Sequence, residues 1–144
     1  MNPRRALAQL LRLFLAGVLL YAAVAKWPAP RAFAEDIANY RLLPAALVPA
    51  ATAAMLGVET LLGLALAANL LLRPWRREVA LATALLMALF TAAVGSALAR
   101  GLKIECGCFG AGQSPATMLT LWRDVGFLAA AAVLTALDSR RPAS

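Results

Sequence analysis

The chain contains only two cysteines, Cys106 and Cys108, one glycine apart in the stretch IECGCFGAGQSP, and it has no histidine. Extended backbone covers at most about 6.6–7.2 Å in two residues, whereas a disulfide holds its Cα atoms roughly 4.4–6.8 Å apart. A bond between the two sulfurs therefore needs a bent backbone, which Gly107 permits. So small a ring stores strain, and strained or exposed disulfides have the high potentials of labile and catalytic bonds. Closing so short a loop adds little chain-entropy stabilisation, which argues against a purely structural link. Arg100, Lys103 and the positive end of the helix expected after the loop favour the thiolate, while Glu105 opposes it. A redox-active dithiol is the leading reading, with a static disulfide, plain thiols or a soft cation such as Cu(I) as alternatives. Zinc is disfavoured because it wants four ligands and the chain offers two thiols.

A second group of residues carries charge where charge is expensive. Glu59 lies inside a long apolar run, and an intramembrane carboxyl marks a functional site by default. It suits a proton donor or acceptor for a bound quinone, an ion-pair partner of Lys26 or Arg123, or a structural hydrogen bond between helices. Gly57 and Gly63 flank it at spacings that allow close helix approach. Arg123 and Asp124 are neighbours and so are expected on different helix faces. Arg123 has four candidate roles: pairing with Glu59, holding a quinone carbonyl, stabilising a thiolate, or snorkelling to the membrane surface.

The elements that must position these groups are membrane spans. The 144 residues are 62% hydrophobic and 15% charged, with a net charge of +7 and a mean hydropathy of +0.76, far from a soluble profile. The basic residues sit in small groups between apolar runs, with no stripe suited to nucleic acid, so a nucleic-acid partner is excluded. Four segments approach the roughly 20 apolar residues that cross a hydrocarbon core: about 6–26, 47–72, 79–99 and 117–137. Pro28, Pro30 and the Arg73-Pro74 pair break the runs. The expected fold is an all-α membrane protein, a single domain over 1–144 forming a four-helix antiparallel bundle with the Cys loop between its third and fourth spans. Arg12, near one end of the first span, is expected to snorkel to the interface. Arg4 and Arg5 before an apolar stretch closing on Ala23-Val24-Ala25 also resemble a signal peptide, but three further spans favour a polytopic protein.

Basic residues near the span ends set the orientation. Arg4, Arg5, Arg12, Arg73, Arg76, Arg77, Arg140 and Arg141 fall on one side. Lys26, Arg31, Arg41, Arg100, Lys103 and Arg123 fall on the other, partly balanced by Glu35, Asp36, Glu105 and Asp124. The arginine-rich turn at 73–77 is expected in the cytoplasm, with both termini. The Cys loop is then exoplasmic, with Trp27 and Trp122 at the outer interface and Trp75 at the inner one.

In their order along the chain, Lys26, YRLLP (Tyr40 to Pro44), ETLLG (Glu59 to Gly63), a basic turn, CGCFG (Cys106 to Gly110) and WRD (Trp122 to Asp124) resemble the methylamine-utilisation family MauE, within the wider DoxX-like membrane proteins. The resemblance covers nearly the whole chain, and CGCFG is its most specific part. It implies a bacterial inner-membrane protein whose Cys106 and Cys108 exchange electrons with a periplasmic thioredoxin-like partner, MauD-like. Attack by a partner thiolate gives a mixed disulfide that the second cysteine resolves. The bundle is also similar to DsbB and vitamin K epoxide reductase, which implies a membrane quinone held near Glu59, Lys26, Arg123, Phe109 and Tyr40. The chain departs from those two in lacking a CxxC pair and a second cysteine pair. An anchoring or maturation subunit for a periplasmic redox enzyme and a soft-metal protein are the alternatives from other classes.

Overall fold

A computed structural model describes residues 2–73, 75–104 and 115–140. Its helices are α1 (Pro3–Lys26), α2 (Pro30–Asn39), α3 (Val48–Ala68), α4 (Arg76–Ala99) and α5 (Met118–Ser139), with a 3-10 turn at Ala45–Leu47 before α3. Four segments, Pro3–Lys26, Ala45–Ala68, Arg76–Ala99 and Met118–Ser139, are long and apolar enough to cross a membrane, which fits a multi-pass membrane protein. Leucines such as Leu10, Leu61, Leu64, Leu85 and Leu89 are exposed on the outside of the bundle. That is where hydrocarbon would cover them.

Local sequence accounts for the ends of these helices. Pro3 opens α1, and the Asn2 side chain accepts a hydrogen bond from the Arg4 amide, the usual pairing of a cap with an early proline. Thr117 and Thr120 form a reciprocal capping box at the start of α5. The second span was expected to run on to 72, but its helix stops at Ala68. Just beyond that end two carbonyls are taken up by side chains: Gln9 donates to the Leu70 oxygen (3.0 Å) and Arg76 to the Asn69 oxygen (2.7 Å). The sequence reading did not foresee α2, which lies beyond the Pro28 and Pro30 breaks. It buries Phe33 and Asp36 on one face.

The buried positions of α1 are Ala8, Arg12, Leu15, Leu19, Ala22 and Lys26, joined by Ala16 and Ala23. The first six follow a spacing of four and three residues, the seam of closely packed antiparallel helices. The same rhythm appears on α3 at Thr52, Leu56, Glu59, Gly63 and Leu66. Helix α1 packs mainly on α3, α4 mainly on α5, and α1 meets α5, while α3 and α4 touch over a shorter stretch. Leu15, Leu19, Leu66, Leu86 and Leu134 form the main core. Threonine hydroxyls inside the helices, such as Thr52, Thr83 and Thr135, donate to the carbonyl four residues earlier, which satisfies them without water.

Arg12 does not snorkel. It is fully buried and paired with Asp138 of α5, and it also donates to Gln9 Oε1 at 2.9 Å. A long cation inside the bundle needs a counter-charge, and Asp138 supplies one just past the expected end of the fourth span.

Close helix approach is found at Gly63 and not at Gly57. A Cβ on Gly63 would come within 2.8 Å of Leu20 Cδ2 and 3.3 Å of the Leu20 backbone nitrogen, whereas one on Gly57 meets nothing within 4 Å. Gly63→Val should therefore destabilise the detergent-solubilised protein by about 1–3 kcal/mol, and Gly57→Ala should be close to neutral. Equal midpoints for the two variants in denaturant titration would contradict this packing.

Candidate functional site

Lys26 is the last residue of α1 and the final member of its buried seam. Its ammonium donates to Glu59 Oε1 at 2.6 Å, and the two side chains are 1% and 0% exposed. The ammonium also lies over the Phe33 ring of α2, 4.5 Å from its centroid, and 5.6 Å from that of Phe90 in α4. Aromatic faces attract a desolvated cation, so residues from four helices converge on one buried charge. Glu59 was expected to pair with Lys26 or Arg123, and the pair that forms is with Lys26. The other Glu59 oxygen, Oε2, is buried without a hydrogen-bond partner among the described residues.

Arg123 is bound elsewhere. Its guanidinium donates to Asp124 at 3.1 Å and lies 5.9 Å from the Phe127 ring centroid. Arg123 and Asp124 leave the helix on different faces, as expected, and the long arginine side chain reaches back to its neighbour. Asp124 is buried while the Arg123 side chain is 28% exposed, so the arginine covers a carboxylate that faces the interior.

Tyr40 connects this region to Ile104, the last described residue before the Cys segment. It is buried with Val94 and Ala97, and Ile104 and Leu121 pack on the same cluster. Arg100 donates to the Tyr40 carbonyl. The two ends of the Cys segment are joined directly, since the Ala116 amide donates to the Ile104 oxygen at 2.8 Å. Cys106, Cys108 and Phe109 lie outside the described residues.

Between α2, α3 and α4 is a cavity of about 610 Å³ walled by Lys26, Phe33, Tyr40, Met55, Phe90 and Val94 among others. Its size falls within the usual range of about 300–1,000 Å³ for small-molecule sites. Apart from Lys26 and Tyr40 every wall residue is apolar, and Glu59 and Arg123 are not among them. Val58, Leu85 and Leu89 on its rim are exposed, so it opens onto the face that hydrocarbon would cover. Of the residues expected to hold a quinone, the fold brings Lys26 and Tyr40 to this cavity, leaves Glu59 behind Lys26, and sets Arg123 apart.

Sequence reasoning missed Phe33, Asp36 and Phe90. Asp36 is buried on α2 and acts electrostatically on both Lys26 and Tyr40. The spacing of Phe33, Ile37 and Tyr40 could have revealed α2, because three- and four-residue steps mark one face of a helix. Nothing in the sequence marks Phe90 as a neighbour of Lys26.

The family model described as methylamine utilisation protein MauE matches residues 4–137. A curated relative from Paracoccus denitrificans, methylamine utilization protein MauE, is 34% identical over 137 residues, which is 93% of this chain and 72% of the relative. No solved structure matches the chain.

Two predictions follow from the ion pair and the tyrosine. Glu59→Gln leaves a buried ammonium without its counter-charge and should cost about 3–5 kcal/mol, while the double variant Lys26→Met, Glu59→Met should regain most of that loss. Denaturant midpoints in detergent test this, and a double variant as unstable as Glu59→Gln would contradict it. The Tyr40 phenol is pushed up to about 12 by burial, helped by the Asp124 and Asp36 carboxylates and opposed by Arg123. The folded state thus holds this proton more tightly than the unfolded chain, whose tyrosine titrates near 10, and stability should fall as pH rises through that window. In a Tyr21→Phe background, phenolate absorbance should appear about two units above the value for free tyrosine until the protein unfolds.

Proposed function

The chain belongs to the MauE family of methylamine utilisation proteins, and from that premise we propose that it is an inner-membrane thiol–disulfide exchange component in methylamine utilisation. Its CGC pair would oxidise a periplasmic thioredoxin-like partner and be reoxidised by a membrane quinone. In this reading the termini are cytoplasmic and the Cys loop is periplasmic. The observation that best supports it is the sharing of Tyr40 and Val94 between the cluster beneath the base of the Cys loop and the wall of the apolar cavity. Chemistry in the loop and a ligand in the cavity would then be neighbours.

The residues of the cavity suit a quinone. A prenylated ring is apolar except for its carbonyl oxygens, and the cavity is apolar except for Lys26 and Tyr40. Lys26 would donate to a carbonyl oxygen while keeping its hydrogen bond to Glu59, since an ammonium has three protons to share. Phe33 and Phe90 would hold the ring. When bound, a quinone supplies the two-electron, two-proton acceptor that returns the dithiol to the disulfide.

Exchange with the partner balances without any other reagent. A partner thiolate attacks one sulfur of the Cys106–Cys108 bond, that bond breaks, an intermolecular disulfide forms, and the displaced sulfur takes up a proton. The partner's second thiolate then releases the remaining cysteine, leaving the partner oxidised by two electrons and the CGC pair reduced. Strain in so small a ring raises its potential and favours this direction.

Spheroplasts labelled with a membrane-impermeant maleimide test the reading. Cys106 and Cys108 should label from outside only after reduction, and should shift toward the reduced form when quinone is depleted or when Lys26→Met, Glu59→Met is introduced. A redox state indifferent to quinone would remove the quinone. Partner binding and methylamine growth retained in Cys106→Ser, Cys108→Ser would instead favour an anchoring subunit.

A further inference from the structure

At the opposite end of the bundle, the start of α1 and the end of α5 enclose a second cleft of about 400 Å³, lined by Asn2, Arg4 and Arg5 from the first and by Val133, Ala136, Leu137 and Arg140 from the second. We propose that this cleft binds the phosphate headgroup of an anionic phospholipid in the leaflet at the terminus end. Arg4, Arg5 and Arg140 would clasp the phosphate, and the acyl chains would lie along Val133 and Leu137.

Several observations converge on this ligand. Three arginines from two chain ends line one cleft, and among the described residues no carboxylate lines it. Like charges gathered this way repel one another unless an anion shares the space. The nearest acid in sequence, Asp138, is buried and already paired with Arg12, so it does not neutralise them. Among the described residues, no hydrogen bond or ion pair occupies the three guanidiniums, and their planar forks match phosphate oxygens in pairs. The cleft also combines arginines with the apolar Val133, Ala136 and Leu137, which suits an amphiphile better than a free anion. Finally, it lies where two membrane-length helices begin and end, the depth at which lipid headgroups sit, and basic pockets between helices at that depth hold anionic headgroups.

Vesicle reconstitution separates the sources of phosphate. Protein should be exchanged from vesicles of phosphatidylcholine alone, or of phosphatidylcholine with phosphatidylglycerol, into neutral detergent, and retained lipid counted by native mass spectrometry, with inorganic phosphate as the competing probe. Wild-type protein should retain phosphatidylglycerol and not phosphatidylcholine. Arg4→Gln, Arg5→Gln, Arg140→Gln should lower that retention by about fivefold for each arginine replaced. The charge-matched variant Arg31→Gln, Arg73→Gln, Arg77→Gln should keep it. Equal retention in the two triple variants, or displacement of the lipid by millimolar inorganic phosphate, overturns the proposal. Should the first variant fail to insert, a photoactivatable phosphatidylglycerol with wild-type protein decides. Adducts on the peptide carrying Val133 to Leu137 support the site, and a yield no higher than with the phosphatidylcholine analogue overturns it.

Discussion

Two cations on one membrane-length helix set the terms for the rest of this fold. Arg12 and Lys26 both lie on the buried seam of α1, and both are essentially inaccessible. A charge removed from water in this way is tolerable only if it is paired and hydrogen-bonded. Each finds its acid on a different helix: Asp138 on α5 for Arg12, and Glu59 on α3 for Lys26. The pairs therefore do more than neutralise charge. They tie α1 to two neighbours at two depths, and sliding either neighbour by a turn would strand an ion in the core.

The arrangement of helices follows from this central role of α1. Gly63 lets α3 come close against Leu20, and α4 and α5 form the other tight pair. With α1 engaged on both sides, α3 and α4 have less in common and part toward the loop end, leaving the apolar cavity between them. Lys26 lies at its floor and is covered by Phe33 of α2. The short amphipathic helix is thus part of the site, because it supplies an aromatic face and the Asp36 carboxylate to a charge that α1 alone would leave half covered.

Polarity is distributed unevenly along the bundle. The loop end gathers Lys26, Asp36, Tyr40, Glu59 and Asp124, an acid-rich interior around one ammonium and one phenol. The terminus end gathers arginines, one buried and three lining an open cleft. An interior of the first kind suits proton-coupled chemistry on a mainly apolar ligand. A rim of the second kind suits a phosphate at the membrane surface.

The sequence alone determined the class of the protein and most of its spans. Apolar runs of about 20 residues with few charges are long enough to cross a membrane, and the CGCFG segment with ETLLG and WRD carries the family resemblance. It also marked Glu59 as needing an explanation, because a charge in hydrocarbon is costly wherever it sits, and named Lys26 and Arg123 as candidate partners. Pairing was a different matter. That Lys26 rather than Arg123 meets Glu59, that Arg12 turns inward to Asp138, and that Gly63 but not Gly57 lies at a helix contact were all decided by the tertiary structure. Local periodicity says which face of a helix is buried, whereas the partner on that face depends on the relative depth and rotation of segments far apart in the chain. The cavity belongs to the same class of fact, since it arises from the parting of two helices and no residue pattern along either one records that gap.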